Sequence, residues 1–184
     1  MTAETEMVIS LARRRVDALD ASQPKFPLQN AENVGSAVRA LLQQHVATAV
    51  VCSAACGADL IGLSEAGKLG LRRRVVLPFA RDKFRETSVI DRPGDWGSIY
   101  DSILDAVESQ GDLVVMAIPD ADDPYSATNL AILDEAMTLG KACNEAVGAL
   151  LLWEGVSRGA NDYTDQFGAE ARKRGLDVFE ILTT

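Results

Sequence analysis

Short apolar runs alternate with longer amphipathic stretches along the chain. Apolar runs of about four to eight residues, bounded by turn residues, predict strands that are buried on both faces. Apolar positions that recur with the helical period predict helices that cover those strands. The alternation therefore predicts an α/β fold with three α/β/α layers and a mainly parallel sheet of about five to six strands.

The same pattern gives expected bounds for each element. The expected strands are residues 7–12, 47–52, 74–77, 113–118, 147–153 and 178–182, the last of them at an edge of the sheet. The expected helices are residues 31–44, 58–69, 96–108, 126–139 and 164–174. Residues 78–95 show no strong periodicity, and we expect them to form a long binding loop or lid.

Length and composition favour one domain in a reducing compartment. A chain of 184 residues with 47% hydrophobic residues can bury one substantial core, so we expect a single domain over residues 1–184. The start of the chain lacks the apolar region of a signal peptide, and the apolar runs are too short to cross a bilayer. Three cysteines cannot all pair, which also favours the cytoplasm.

The charge of the chain bears on its partners. The formal net charge is -9 at pH 7. Nucleic-acid phosphates and anionic lipid headgroups attract basic surfaces, so this charge predicts no nucleic acid and no membrane among the partners.

A ligand is expected at one end of the sheet. Parallel strands all end on one side, where the loops that leave them face the N-termini of helices. The loops to inspect are residues 13–26, 53–57, 78–95, 119–125 and 154–163.

The turn after the second strand is built from small residues. Ser53, Ala54, Cys56 and Gly57 lead into a helix whose first turn contains Asp59. Small side chains let a ligand approach the backbone, and amides at a helix N-terminus favour a phosphate or carboxylate. The alternative is that these residues only allow tight strand-to-helix packing, with Asp59 complementing the helix dipole.

Three consecutive arginines follow the first strand. Arg13, Arg14 and Arg15 stand in an acidic chain at the expected ligand-facing end, and guanidinium groups bind phosphate well. The alternative is a solvated surface turn in which the arginines pair with Asp17 and Asp20.

The 78–95 segment offers groups that suit a nucleobase. The planes of Phe84 and Arg85 can stack on a base, and Ser88 offers a hydroxyl. The alternative is that Phe84 and Trp96 anchor the segment on the core.

The segment after the fourth strand is acidic. Asp120 and Asp122 would repel a phosphate, but they can accept hydrogen bonds from ribose hydroxyls or an amino group. Alternatively, Asp122 or Asp123 caps the following helix. On that helix, Tyr125 and Asn129 are spaced to reach one ligand, with ordinary packing as the alternative.

Metal and cofactor sites are not expected. Cys52 and Cys56 are too far apart in sequence for a CxxC pair, and His45 is the single histidine. The coil after the fifth strand carries no complete P-loop or dinucleotide fingerprint, so we expect no cofactor.

The small-residue turn also resembles a segment of the SLOG superfamily of Rossmann-like domains. The resemblance covers residues 53–59, Glu65 and Ala66, residues 75–79, and the later strand with its flanks at 111–119. This superfamily groups the DNA-processing protein A family with the LONELY GUY phosphoribohydrolases and with domains thought to sense nucleotide-derived ligands in bacterial signalling. The resemblance implies a nucleotide-sensing domain, suggests a homodimer and suggests effector proteins of a signalling system as partners.

The chain departs from the phosphoribohydrolases at their catalytic segment. Residues 119–125 replace a glycine-rich loop, and Asn129 falls near the place of the family's catalytic glutamate. We therefore expect binding or sensing of a nucleotide or nucleotide-derived small molecule. The alternatives are an enzyme that hydrolyses or transfers an N-glycosidic bond, using one of the carboxylates Asp120, Asp122, Asp123 or Glu135, and a protein-interaction scaffold.

Overall fold

The structure is a computed structural model that describes residues 5–118 and 123–184. Within these residues the strands are β1 Met7–Arg13, β2 Ala47–Cys52, β3 Arg72–Leu77, β4 Leu113–Val115, β5 Ala146–Trp153 and β6 Asp177–Leu182. The helices are α1 Ala31–Gln44, α2 Ala58–Lys68, α3 Arg81–Ser88, α4 Trp96–Ser109, α5 Pro124–Cys143 and α6 Tyr163–Lys173. None of the helices in this described part of the chain is long and apolar enough to cross a membrane.

The strands form one sheet in the order β4-β3-β2-β1-β5-β6, and every neighbouring pair is parallel. This confirms the predicted Rossmann-like α/β fold and the edge position of the last strand. The chain winds from β1 towards β4 and then returns to add β5 and β6 on the other side of β1. The switch in direction therefore lies beside β1, where loops leave neighbouring strands towards opposite faces and open a crevice.

Two hydrophobic cores lie on the two faces of the sheet. Alternate residues of β1 point to opposite sides, so Leu11 packs with α1 to α4 and Val8 packs with α5 and α6. Leu63 and Phe84 belong to the first core, and Phe167 belongs to the second. Helices on both faces explain why the strands are continuous apolar runs.

The prediction that residues 78–95 form one long loop or lid is wrong, because α3 occupies Arg81–Ser88. Phe84 and Ser88 are the buried residues of this short helix, and its other residues are so polar that the segment contains few apolar positions to mark it as a helix. β3 also begins earlier than expected, at Arg72. The charged guanidinium of Arg72 has a partner there, since it pairs with the Asp112 carboxylate at 2.7 Å. At the other end of the sheet, β4 stops at Val115 rather than continuing to residue 118.

Candidate functional site

A cavity of about 590 Å³ opens at the C-terminal edge of the sheet, beside β1. Its size is that of a small-molecule site. Its walls come from the segment after β1, the end of α3 with the loop that follows it, the N-termini of α5 and α6, and the loop after β5. The lining residues are Arg13, Arg14, Arg15, Val16, Asp17, Ala18, Ala21, Ser22, Gln23, Lys25, Ser88, Arg92, Tyr125, Arg158, Tyr163 and Thr164.

The structure brings together part of the predicted site. The predicted residues that line the cavity are Arg13, Arg14, Arg15, Ser88 and Tyr125. The predicted residues that lie outside its lining are Ser53, Ala54, Cys56, Gly57, Asp59, Phe84, Arg85 and Asn129. Asp120 and Asp122 lie outside the described residues.

The turn after β2 packs against the protein's own backbone. Gly57 has a φ of 90°, and a Cβ placed there would lie 2.8 Å from the Val16 nitrogen. The Cys56 amide donates to the Ser88 carbonyl at 3.0 Å, and the Ala58 amide donates to the Arg14 carbonyl at 3.5 Å. Two of the amides at this turn, those of Cys56 and Ala58, therefore have partners within the protein, and the binding role of the turn stays a prediction.

The other predicted residues outside the cavity have structural contacts. Phe84 is fully buried and packs between Phe79 and Tyr100. Arg85 binds the Asp101 carboxylate of α4 at 2.9 Å, which turns it away from the cavity. The Asn129 side-chain amide donates to the Tyr163 carbonyl at 2.9 Å and so ties α5 to the start of α6.

Arg14 is the most heavily engaged arginine of the site. Its guanidinium donates to Asp162 at 2.5 and 2.6 Å and to Glu154 at 2.5 Å, and its side chain is 3% exposed. It also donates to the Thr164 hydroxyl, which donates to the Arg13 carbonyl. Arg14 therefore fastens the loop before α6 onto the end of β1.

The Asp162 carboxylate is held by many donors. Burial raises the pKa of this carboxyl, but hydrogen bonds from Arg14 and from backbone amides, together with the Arg14 charge, outweigh burial. The pKa of Asp162 consequently lies well below its usual range. The backbone amides that donate to it belong to Arg158, Thr164 and Asp165.

Polar atoms without hydrogen bonds gather where β1 and β2 end. In the described part of the chain, the buried side-chain atoms without a hydrogen-bond partner are Arg13 Nε, Arg15 Nε, Ser53 Oγ, Asp59 Oδ1 and Arg74 Nε. All of them except Arg74 Nε belong to these two strand ends. Arg13 Nε lies 2.8 Å from the Asp59 carboxylate, an ion pair without hydrogen-bond geometry. Arg74 Nε likewise lies 2.7 Å from the Glu135 carboxylate. A buried polar atom without a hydrogen bond is open to a water, an ion or a ligand.

The buried groups beneath the cavity do not form a nucleophilic centre. Burial raises the pKa of Asp59, although the Arg13 charge and the Ala55 amide act in the opposite direction. Burial also raises the pKa of the Cys56 thiol more than neighbouring Arg15 lowers it, so the thiol stays protonated. Among the described residues, no cluster of acidic, histidine or cysteine side chains is placed to hold a metal ion.

Cationic side chains surround the cavity, with carboxylates beside them. Arg15 and Arg92 both bind the carboxylate of Asp91. Arg158 lies 3.6 Å from Asp162, and Lys25 lies 3.8 Å from Glu154. The cavity therefore presents fixed positive groups within a protein of negative net charge.

Two tyrosines form an aromatic wall. Tyr125 is the second residue of α5, and Tyr163 is the first residue of α6. The centroids of their rings lie 6.1 Å apart at an interplanar angle of 48°. Burial, with a further contribution from the Asp123 carboxylate, raises the pKa of Tyr163, which keeps its hydroxyl protonated. This wall belongs to the α5 and α6 layer, whereas Arg92 follows α3 in the opposite layer.

Sequence reasoning missed several lining residues. Lys25, Arg92, Arg158 and Tyr163 lie in three of the loops expected to face the ligand, but their charges or rings belong to no motif that singles them out. One available signal was Asp162 directly before α6, because it caps that helix through the amides of its first turn. That cap places the neighbouring Tyr163 at the ligand-facing edge of the sheet.

Comparisons with known proteins add one structural likeness. No family model and no curated protein matches the chain. A similar structure is that of DNA processing protein A (DprA) from Streptococcus pneumoniae, with a TM-score of 0.44 and 12% sequence identity. The match covers 92% of this chain and 57% of that one, so the chain spans little more than half the length of its neighbour. This likeness concerns the fold alone.

The similar structure is that of a DNA processing protein, which conflicts with the expectation that nucleic acid is not a partner, and that expectation is withdrawn. That expectation rested on a net charge of -9. A net charge is a sum over the whole molecule and does not fix the sign of the potential at one site. Here six arginine and lysine side chains and one acidic side chain line the cavity.

Proposed function

We propose that the cavity beside β1 binds a nucleotide or a nucleotide-derived small molecule. One observation carries the proposal, namely that arginines and a pair of tyrosines line the same cavity. Guanidinium groups bind phosphate through charge-assisted hydrogen bonds, and tyrosine rings stack on planar bases. Since Arg92 and the tyrosines come from opposite helical layers, a ligand with an anionic group at one end and a ring at the other fits across the sheet edge.

We further propose that the chain is a SLOG-type nucleotide sensor and acts as a single domain in the cytoplasm. The resemblance of residues 53–59 to that superfamily supports the first part. The free thiols of Cys52, Cys56 and Cys143 support a reducing compartment.

Binding is favoured over hydrolysis of an N-glycosidic bond by the state of the carboxylates near the cavity. Asp162, Glu154 and Asp91 are paired with arginines. The Asp17 carboxylate accepts the backbone amides of Lys25 and Phe26, both at 2.9 Å. A carboxylate that stabilises an oxocarbenium-like transition state must face the sugar. Among the described residues, Asp162, Glu154 and Asp17 are held in place by these contacts, and Asp91 faces two guanidinium groups.

A thermal-shift screen tests the proposal. The panel contains nucleoside monophosphates, cyclic nucleotides, ADP-ribose and a short 5′-phosphorylated oligonucleotide. A ligand at 100 times its dissociation constant stabilises the fold by about 2.7 kcal/mol. Each stabilising compound is then analysed by chromatography, and we expect it to be recovered intact. Release of free base would show that the chain is a hydrolase and not a sensor. If none of the compounds stabilises the chain, the proposal is overturned.

Two variants then locate the site. Arg92→Ala removes a lining guanidinium, and we expect it to weaken nucleotide binding by about tenfold. Arg172→Ala is the matched control, because Arg172 of α6 pairs with Glu180 of β6 and does not line the cavity. Equal nucleotide affinity in the two variants would show that the nucleotide does not bind in this cavity.

A further inference from the structure

The arginines that line the cavity differ in how firmly their carboxylate partners are held. Arg14 is bound to Asp162, whose carboxylate is fully buried and also accepts backbone amides. Arg13 faces Asp59, which is equally buried and accepts the Ala55 amide. These carboxylates cannot leave their arginines without stranding buried charge.

Asp91 is held differently. Its side chain is 32% exposed, and its carboxylate contacts the guanidinium groups of Arg15 and Arg92. Within the described residues, no backbone amide donates to this carboxylate. An exposed ion pair of this kind contributes little to stability and is readily exchanged. Asp91 is therefore the carboxylate beside the cavity that an incoming anion can replace at small cost.

The groups around Asp91 suit a phosphoryl group. Arg15 and Arg92 line the cavity and already converge on one anionic group. Arg15 Nε is buried and has no hydrogen-bond partner in the described chain. Ser88 also lines the cavity, and its hydroxyl lies 3.4 Å from that of Thr87. A phosphomonoester brings nearly two negative charges and three acceptor oxygens, whereas a carboxylate brings one charge and two oxygens.

We infer that Arg15 and Arg92 form the anion subsite of the cavity, and that the Asp91 carboxylate occupies this subsite until a phosphoryl group of the ligand replaces it. The inference rests on the proposed function and adds a built-in competitor to it. Asp91 lowers the affinity for phosphorylated ligands and leaves the affinity for their uncharged counterparts unchanged.

The test compares AMP with adenosine, which has the same ring and sugar but lacks the phosphoryl group. Calorimetric titrations at about 0.15 M salt are made on the wild-type chain, on Asp91→Asn and on Asp95→Asn, because long-range charge effects are screened at that salt concentration. Asp95 lies in the same loop, and its carboxylate accepts the Ser98 hydroxyl instead of contacting an arginine. Both substitutions remove one negative charge and keep the side-chain size.

We expect Asp91→Asn to tighten AMP binding by about threefold or more and to leave adenosine unchanged, since one competing ion pair is removed. We expect Asp95→Asn to change neither affinity. Unchanged or weaker AMP binding in Asp91→Asn, or an equal gain in Asp95→Asn, overturns the role of Asp91 and leaves the proposed function standing. If neither compound binds any of the three chains, the inference is overturned, whereas the proposed function is overturned only if the whole thermal-shift panel also fails to stabilise the chain.

Discussion

Arg14 and Asp162 are joined by two hydrogen bonds inside the protein, from Nη1 to Oδ1 at 2.5 Å and from Nη2 to Oδ2 at 2.6 Å. Both side chains are buried, and 148 positions in the sequence separate them. The pair connects the end of β1 to the loop that precedes α6. Because that loop carries Arg158 and leads into Tyr163, the pair sets the position of two cavity walls.

Breaking this pair should destabilise the fold strongly. Asp162→Ala leaves the Arg14 guanidinium buried without its main partner, and we expect a loss of about 3–5 kcal/mol in the free energy of unfolding. Urea unfolding measures the loss. Asp134→Ala serves as the control, because Asp134 pairs with Arg174 at the surface and should cost less than about 1 kcal/mol. Similar losses in the two variants would contradict the structural role of Arg14.

The same pair makes the stability depend on pH. The pKa of Asp162 is lower in the folded chain than in the unfolded chain, so its contribution is present above the unfolded value of about 3.9 and is lost as the pH falls below it. We expect the difference in stability between wild type and Asp162→Asn to shrink between about pH 7 and about pH 3. Urea unfolding at both pH values gives this difference, and a constant difference would show that Asp162 is not a low-pKa carboxylate.

The packing of Gly57 against the β1 loop should make this position intolerant of a side chain. Gly57 and Gly159 share a φ of 90°, but only at Gly57 would a Cβ meet another atom, the Val16 nitrogen at 2.8 Å. Backbone strain alone costs about 1–3 kcal/mol. We therefore expect Gly57→Ala to lose more stability than Gly159→Ala in thermal unfolding. An equal loss would mean that the turn does not press on residues 14–16.

The ring of Tyr163 should contribute to binding of the nucleobase. Stacking contributes about 1–3 kcal/mol per base, so Tyr163→Ala should weaken AMP binding by roughly tenfold. Tyr163→Phe keeps the ring and should retain most of the affinity. Ribose 5-phosphate, which lacks a base, should bind wild type and Tyr163→Ala alike. If Tyr163→Ala loses as much affinity for ribose 5-phosphate as for AMP, the Tyr163 ring does not contact the base.

Much of the fold could be predicted from the sequence. Strands buried on both faces give apolar runs, as in β5, and the amphipathic α1 shows its apolar positions clearly. Two elements escaped this signal for a physical reason. α3 buries little besides Phe84, and the start of β3 is stabilised by Arg72 pairing with Asp112, so hydrophobicity marks neither.

The candidate site could be predicted only in part. The position of the arginines after β1 follows from strand geometry, so their place at the cavity was foreseeable. Their individual roles were not, because the partners of Arg14 lie 140 and 148 positions away in the sequence. The sequence also gives no sign that residues 14–16 cover the turn at Gly57, since that contact arises from tertiary packing.

Backbone amide chemical shifts, recorded as AMP is added to the labelled chain, test the binding site most directly. The account predicts that the largest shifts fall on Tyr125 and on residues 13–25, 88–92 and 158–164, the segments that contain the residues lining the cavity. Shifts that saturate but fall outside these segments, or no shift for any compound that stabilises the chain, would contradict the account.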